Sequence, residues 1–467
     1  MANHTLIPLM TIDIALPVQA FRFEYTLVGR SDLPFIREFI LRLLKVGNMS
    51  STQLAKFLGL TEKEISIAVS QLVSLNEISL DNEGKIQLTA EAHKYFDGPS
   101  DSRPKITKLF EGTSTLKFDL LSFGLIRSDD KISPPLNAIR LSPETEKLSN
   151  SVSYAKSAFL RNYIDIFEEE SISFDGVNDI RKVELYKLSD VRKNKDYNVK
   201  FSITFSLDTE RNSIERYSDS RFFDVDEIQK NLNEVLLNSF SASNIQDIIS
   251  ALDSLEETQL LDCFTPDGID LTALAISVVK KNKSSSGRSY FLGSPTYSDN
   301  WNQLTTIVKK YLKDSKHTAS CAWLAPSDRF WLMSNQSFSR TSELINSTKG
   351  LQTQLCVPVA GSKDKHQESL WKKALGPMKD KAIKVSEGFL GGSVEVISVP
   401  GVVSMLCFYL QNPGESVSIP FGFITTDESD IDRIHQEFES YLQGYDTHME
   451  KRNYGPLVRR FSQEENR

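Results

Sequence analysis

Chemistry in this 467-residue chain would have to start from its histidines, cysteines, carboxylates or lysines. The six histidines are His4, His93, His317, His366, His435 and His448, and no two are spaced as metal ligands on one helix or hairpin would be. Cys263, Cys321, Cys356 and Cys407 form no C-x-x-C, and three of them sit in the apolar runs CAWL, QLCVPV and SMLCFY. They read as buried free thiols, a usage that fits a reducing compartment. A Mg²⁺-dependent nuclease needs clustered carboxylates beside a lysine. Asp175 and Asp179 with Glu184 and Lys187 have such a spacing, and Glu168–Glu170 is an acidic triplet. Spacings of this kind arise often by chance, and an acidic triplet at a helix end is usually solvated. The chain contains no G-x-x-x-x-G-K-[ST], no G-x-G-x-x-G after a strand, no H-E-x-x-H and no G-x-S-x-G. No catalytic residue, metal or cofactor is expected from these residues.

Lysine is the stronger signal. The net charge is −8, yet residues 271–400 hold 18 Lys and Arg against 9 Asp and Glu. That excess of +9 leaves the remainder of the chain at −17. Any contact with nucleic acid should then be local rather than a property of the whole surface. Three groups supply the charge: Lys280, Lys281, Lys283 and Arg288 around an S-S-S-G loop; Lys309, Lys310, Lys313 and Lys316 on or just past one helix; and Lys372, Lys373, Lys379, Lys381 and Lys384. Aromatic side chains beside them would stack on bases. Trp323, Phe330 and Trp331, however, sit in apolar runs and belong to a core.

The elements that must position these residues fall into several segments, since a chain of this length exceeds one ordinary core. Leu6–Val18 is apolar, but no Lys or Arg precedes it and Asp13 and two prolines interrupt it, so it is read as strand, not signal peptide. No run approaches the roughly 18 to 20 apolar residues of a membrane span, and a soluble, cytoplasmic protein is expected. Ile36, Phe39, Ile40, Leu43 and Leu44 predict a first helix with one buried face, capped by Ser31 or Asp32. Ser50 with Gln53 and Thr61 with Glu64 are capping boxes for a second and a third helix. Leu54, Phe57 and Leu58 face inward on the second, and Ile65, Ala68, Val69 and Leu72 on the third. Ile78, Leu80, Ile86 and Leu88 around Asp81–Gly84 predict a hairpin, and L-T-A-E-A-H-K-Y-F a further helix.

This succession over residues 31–96 resembles the winged helix-turn-helix family. In DNA-binding members the third helix enters the major groove and the wing touches the backbone. The outward side of that helix here carries Lys63, Ile67, Ser70 and Ser74, flanked by Glu62, Glu64, Ser66 and Gln71, and the wing carries Lys85. Lys63, Ser66, Ser70 and Lys85 are the candidate contacts. One lysine against two glutamates gives little attraction for phosphate, and no arginine is present for a bidentate guanine contact. Protein docking and DNA contact both remain open for this module.

Beyond a turn-rich linker at 97–104, residues 105–266 read as an α+β middle. Ser142–Glu170 is one long helix, Lys182–Tyr186 and Val199–Leu207 a hairpin with a basic tip, and Phe223–Cys263 a helical connector. Residues 271–445 alternate strands and amphipathic helices and predict a layered α/β domain. The expected strands include Ala319–Leu324, Arg329–Met333, Gln354–Val359, Val394–Val399, Val403–Leu410 and Ser418–Thr425. Residues 446–467 read as a polar tail. The order of the C-terminal elements, ending in F-G-F-I-T-T-D-E-S-D-I-D-R-I-H-Q-E-F-E-S-Y-L, is similar to phospholipase-D-like nuclease domains. That family's H-x-K-x4-D is absent: Thr318-Ala319 follows His317 and Gln436-Glu437 follows His435. The resemblance therefore implies a non-catalytic copy. The expected protein is an α+β multi-domain chain: residues 1–97 with strands and winged helix, then the α+β middle, then the α/β domain. Its expected role is that of a non-enzymatic binding or scaffold subunit of a nucleic-acid-handling complex, such as prokaryotic genome maintenance or phage defence. Other protein subunits are the expected partners, nucleic acid a weak and non-specific one, and a membrane none. A metal-dependent nuclease and a transcriptional regulator with a C-terminal sensor are the alternatives.

Overall fold

The computed structural model describes residues 6–31, 33–96, 103–134, 136–170, 172, 181, 183–237, 243–265, 268–281, 288–314, 318–412, 414–443 and 453–458. The protein is a mixed α+β chain. It opens with a 26-residue strand, β1 (Leu6–Ser31), then α1 (Phe35–Val46), α2 (Ser51–Leu58), α3 (Glu62–Ser74), the hairpin β2 (Ile78–Leu80) and β3 (Ile86–Leu88), and α4 (Ala90–His93). β4 (Ile106–Asp119), β5 (Ile139–Arg140), α5 (Thr145–Ser149), α6 (Ser151–Glu169), β6 (Val183–Asp208) and β7 (Ser213–Tyr217) follow. Next come α7 (Asp226–Leu237), α8 (Ile245–Ser254), α9 (Thr258–Leu261), β8 (Phe264–Thr265), β9 (Gly268–Ile269) and α10 (Leu271–Lys281). The last third contains β10 (Arg288–Leu292), α11 (Ser298–Asp314), β11 (Ala319–Leu324), α12 (Asn335–Asn346), β12 (Leu351–Val359), α13 (Lys365–Leu375) and β13 (Ala382–Ser386). β14 (Val394–Val399), β15 (Val403–Leu410), β16 (Ile419–Thr425), α14 (Glu428–Gln443) and β17 (Asn453–Pro456) complete it. No helix among the described residues is long and apolar enough to cross a membrane.

The chain forms two compact units that interleave along the sequence. The first comprises Met1–Pro17, Lys131–Pro143 and Tyr197–Arg467, the second Val18–Asp130 and Glu144–Asp196. β1 and β6 each contribute to both units.

In the second unit, Val18–Ser31 of β1 pairs antiparallel with β4. Phe21, Phe23, Tyr25 and Leu27 fall on one face by the period of two and pack on Ala155, Phe159, Ile166 and Phe167 of α6. The rings of Phe23 and Phe159 stack at 4.7 Å. The helix expected over Ser142–Glu170 is broken: α5 ends at Ser149, and Asn150, with non-helical φ −101° and ψ 18°, separates it from α6. The expected hairpin over Lys182–Tyr186 and Val199–Leu207 is instead the single strand β6. Its polar stretch Arg192–Tyr197 continues the extended backbone, because exposed charged side chains are compatible with a strand that turns them to solvent.

The α1–α4 module of this unit has its own core. Both capping boxes form: the Ser50 side chain accepts from Gln53 N and Gln53 Oε1 accepts from Ser50 N, and Thr61 and Glu64 repeat the exchange. Ile65 and Leu72 of α3 are buried and Val69 is partly so. Three expectations for the module are corrected. The α1 cap is Pro34 without a side-chain hydrogen bond, not Ser31, and Asp32 lies outside the described residues. Ile36 is 42% exposed, and the buried face is Ile40, Leu41 and Leu44. Arg37, on that inner side, donates from Nε to the buried Glu77 at 2.9 Å, which rotates Ile36 outward. Phe57, expected inside, is 68% exposed.

In the first unit an eight-stranded sheet has the order β10-β16-β15-β14-β11-β12-β13-β17. β11, β12 and β13 are mutually parallel and the other pairings antiparallel. Both faces are covered, so β14, β15 and β16 are buried at every position and mostly apolar. On β15, Met405, Cys407 and Tyr409 enter one core and Leu406, Phe408 and Leu410 the other. α8, α9, α10 and α14 contribute to the latter core, and α11, α12 and α13 to the former. Asn453–Pro456, in the stretch read as a tail, forms β17 on β13. Arg329–Met333 is not a strand. Asp328 Oδ1 accepts from Phe330 N at 2.8 Å, and Leu332 takes φ +62°, so the chain turns there. The N-terminal strand is built into this unit. Ser294 N donates to Leu9 O at 2.6 Å, and a Cβ on Gly293 (φ +93°) would meet Pro8 O at 2.7 Å. Asp13 is buried, accepts from Ser202 Oγ and Asn335 N, and lies 3.4 Å from Lys200 Nζ.

Candidate nucleic-acid interface

The outer side of α11 carries one of the lysine groups. Trp301, Leu304, Thr305 and Val308, at i, i+3, i+4 and i+7, hold its inner face in the core. The same periodicity turns Lys309, Lys310 and Lys313 outward, and all three are exposed. Lys309 lies 3.7 Å from Glu343 on α12, with both side chains more than half exposed, so solvent screens the pair. Tyr311, 40% exposed, follows Lys310 in sequence, but the same periodicity sets it on the flank of the helix away from Lys309 and Lys313. Trp323, Phe330 and Trp331 are buried. Lys316 lies outside the described residues, as does Lys283; Lys280 and Lys281 end α10, with side chains outside the description.

Part of the remaining positive charge is engaged within the protein. Arg288, read as flanking a flexible basic loop, is a strand residue held by carboxylates. It chelates Asp430 through Nε and Nη2 and donates from Nη1 to Glu257 at 2.7 Å. Burial pushes Asp430 up, but the Arg288 guanidinium, with Arg433 and Thr425, more than offsets this and holds its carboxyl below the ordinary value. Lys384 and Lys372 share Glu368, and Lys381 donates to Ile345 O at 2.8 Å. Lys373 is exposed.

On the helical module, Lys63, Ser66 and Ser70 are exposed along one side of α3, with Ile67, 63% exposed, among them. Lys85, in the β2–β3 turn, pairs with Glu83 at 2.8 Å. Residues 33–96 contain seven basic and seven acidic side chains and so have no net charge.

The buried groups capable of acid–base or thiol chemistry lie elsewhere. Glu395, a single carboxylate in the run V-E-V-I-S-V, is 1% exposed. Its Oε1 accepts from the indole N–H of Trp323 at 2.8 Å and of Trp331 at 3.0 Å, and its Oε2 from the Tyr409 hydroxyl at 2.6 Å. Burial, only partly offset by these donors, pushes its carboxyl up to about 7. Asp328, raised by burial too, accepts from Ser418 Oγ at 2.6 Å. Trp331 and Tyr409 floor a cleft of about 30 Å³ ringed by Thr11, Ser294, Thr296 and Ser337, room for about two waters. Sequence reasoning missed this network, although one acid amid apolar strand residues was its visible sign. All four cysteines are buried thiols outside any disulfide, and burial pushes Cys321 and Cys356 up to about 12. A groove of about 410 Å³ beside α14 is lined by Ser320, Gln352, Gln354, His435 and Glu439, and His435 Nε2 lies 3.2 Å from Glu439. His317, Asp175 and Asp179 lie outside the described residues. Among the described residues, no three His, Cys, Asp or Glu are grouped to hold a metal ion.

No family model matches the chain, and no curated protein does. Among solved structures it is similar to a phospholipase D family member, Nuc from Salmonella typhimurium, with 13% identity and a TM-score of 0.22, over 33% of this chain and 93% of that one. A likeness that slight carries no argument about fold or chemistry.

Proposed function

We propose that this chain is a binding subunit of a nucleic-acid-handling assembly, in which the α11 lysine row meets backbone phosphates. The observation that carries the reading is the row itself: Lys309, Lys310 and Lys313 are exposed along the outward side of α11, and Lys309 has a weak ion pair with Glu343. Such a row suits the backbone of a nucleic-acid strand, whose phosphates would meet the ammonium groups. The order helix, helix, helix, hairpin over 35–88, with both capping boxes formed, supports a winged helix. Its charge balance favours docking to protein over reading DNA. On this reading the subunit needs no cofactor, works with other protein subunits, and resides in the cytoplasm, where its four buried thiols stay reduced.

Fluorescence anisotropy of the full chain with labelled single-stranded and duplex DNA tests the interface. Binding should be weak, sequence-tolerant and steeply salt-dependent. Three phosphate contacts would give a log–log slope of about 2.7 on duplex and about 2.1 on single strands. Lys309→Glu, Lys310→Glu and Lys313→Glu together should abolish binding, whereas Lys63→Ala should change it by less than about tenfold. Binding that survives the triple reversal would overturn the proposal.

A further inference from the structure

The apolar arc of α1 is wider than the module's core uses. At about 100° per residue, Ile40, Leu44 and Leu41 point inward, and Phe35, Val46, Phe39, Leu43 and Ile36 fill the adjoining sector of about 100°. Phe35 is 71% exposed and Val46 86%. The rings of Phe35 and Phe39 lie against each other at 4.4 Å. Scattered apolar residues at a surface are ordinary, but a continuous stripe over three turns marks an interface. Glu38 and Arg42 border the stripe, paired at 3.2 Å, with the Arg42 guanidinium 4.9 Å from the Phe39 ring centre.

We propose that this stripe is a self-association surface, on which α1 of a second copy packs antiparallel across a twofold axis. Spacing and charge select that occupant. In an antiparallel pair centred between residues 40 and 41, Phe35 lies level with the second copy's Val46, and Phe39 beside its Leu43 and Arg42. A twofold axis perpendicular to both helices keeps like flanks together. It therefore sets Glu38 beside the second copy's Arg42, and Arg42 beside its Glu38. A parallel pairing would carry the two Glu38–Arg42 flanks to opposite sides of the pair, where neither interchain ion pair forms. The neutral charge of residues 33–96 neither repels a second copy nor attracts a phosphate-bearing partner. The stripe is smaller than the roughly 20 to 30 residues a side of a stable interface, so the association is weak and concentration-dependent. It shares no residue with the α11 lysine row, and either proposal can fail alone.

Sedimentation velocity of the full chain, from about 1 to about 200 µM, spans the affinities expected of so small an interface. The weight-average mass should rise with concentration toward twice the monomer value. Phe35→Ser with Val46→Ser, both at exposed positions, should keep the wild-type circular dichroism and remain monomeric throughout. Glu38→Arg alone and Arg42→Glu alone should each weaken association by about tenfold or more, as for opposed like charges. The double swap Glu38→Arg/Arg42→Glu should restore it, because each interchain pair is re-formed with its signs exchanged. A wild-type chain that stays monomeric, or a dimer untouched by Phe35→Ser/Val46→Ser, would overturn the proposal. So would single reversals that leave association unchanged.

Discussion

Replacing Glu395 by glutamine should change how the first unit's stability depends on pH. The side chain is buried on β14 and accepts three hydrogen bonds, two from indoles and one from a phenol. Glutamine has the same shape. Its carbonyl can accept from both indoles while the Tyr409 hydroxyl turns to accept from the amide. At pH 4.5 and below, the wild-type carboxyl is protonated in the folded state, and the two proteins should differ little. The carboxyl rises from an ordinary value of 4.5 to about 7 in the fold. As pH climbs past 4.5, the unfolded chain therefore ionises before the folded one and gains stability relative to it. Wild type loses about 1.4 kcal/mol per unit over about 2.5 units, or about 3 kcal/mol, and the loss levels off above pH 7. Glutamine cannot ionise, so the variant should gain about 3 kcal/mol on wild type between pH 4.5 and 7.5. Urea unfolding followed by tryptophan fluorescence is the assay. All four tryptophans lie in one chain of ring contacts, Trp301 to Trp323 at 6.1 Å, Trp323 to Trp331 at 6.3 Å and Trp331 to Trp371 at 5.6 Å. Glu395→Leu is the control, since it orphans three donors at about 1–3 kcal/mol each and should destabilise at every pH. Parallel wild-type and glutamine profiles across this range would refute the reasoning.

Two further outcomes follow from buried groups. Ile65→Asp places a carboxylate in the module core at a position with no exposed surface, a cost of several kcal/mol. Hydrogen exchange should then lose protection across residues 35–93 while β14–β16 stay protected, and unchanged protection would show that Ile65 is not in a core. Arg288→Met leaves Glu257 and Asp430 without their shared cation and should cost about 3–5 kcal/mol, read as a lower urea midpoint. A midpoint like wild type would mean that the arginine is solvent-facing, as a basic loop would have it.

Legibility followed the length scale of the signal. β11, β14 and β15 begin and end where apolar runs bounded by turn residues predict, because strands of a sheet covered on both faces are mostly apolar along their length. The two capping boxes were equally visible, since each is a contact between residues three apart. Ile36 and Phe57 were misread because a helix with a wide apolar arc does not say which part of it meets the core. On α1 the core-facing side is the one from which Arg37 reaches Glu77, forty residues away in the chain. Local periodicity likewise gives no sign of the break at Asn150 or of the continuity of β6. In the candidate interface, the lysine spacing on α11 was readable, while the inward turn of Arg288 depends on Asp430 and Glu257, which no local pattern connects to it.

This difference changes how the basic segment should be weighed. A count over residues 271–400 treats every cation as available to a partner, and it yields +9. The structure withdraws several of them. Arg288 is spent on two carboxylates, Lys384 and Lys372 share a third, and Lys381 holds a main-chain carbonyl. Long-range attraction still senses the total charge, but counterion release depends on cations that reach a phosphate. With α11 supplying three, the proposed binding through this face would fall between low and physiological salt. On that reading so small a footprint would hold a strand only weakly by itself and would orient one already held nearby. Other subunits would then supply most of the affinity.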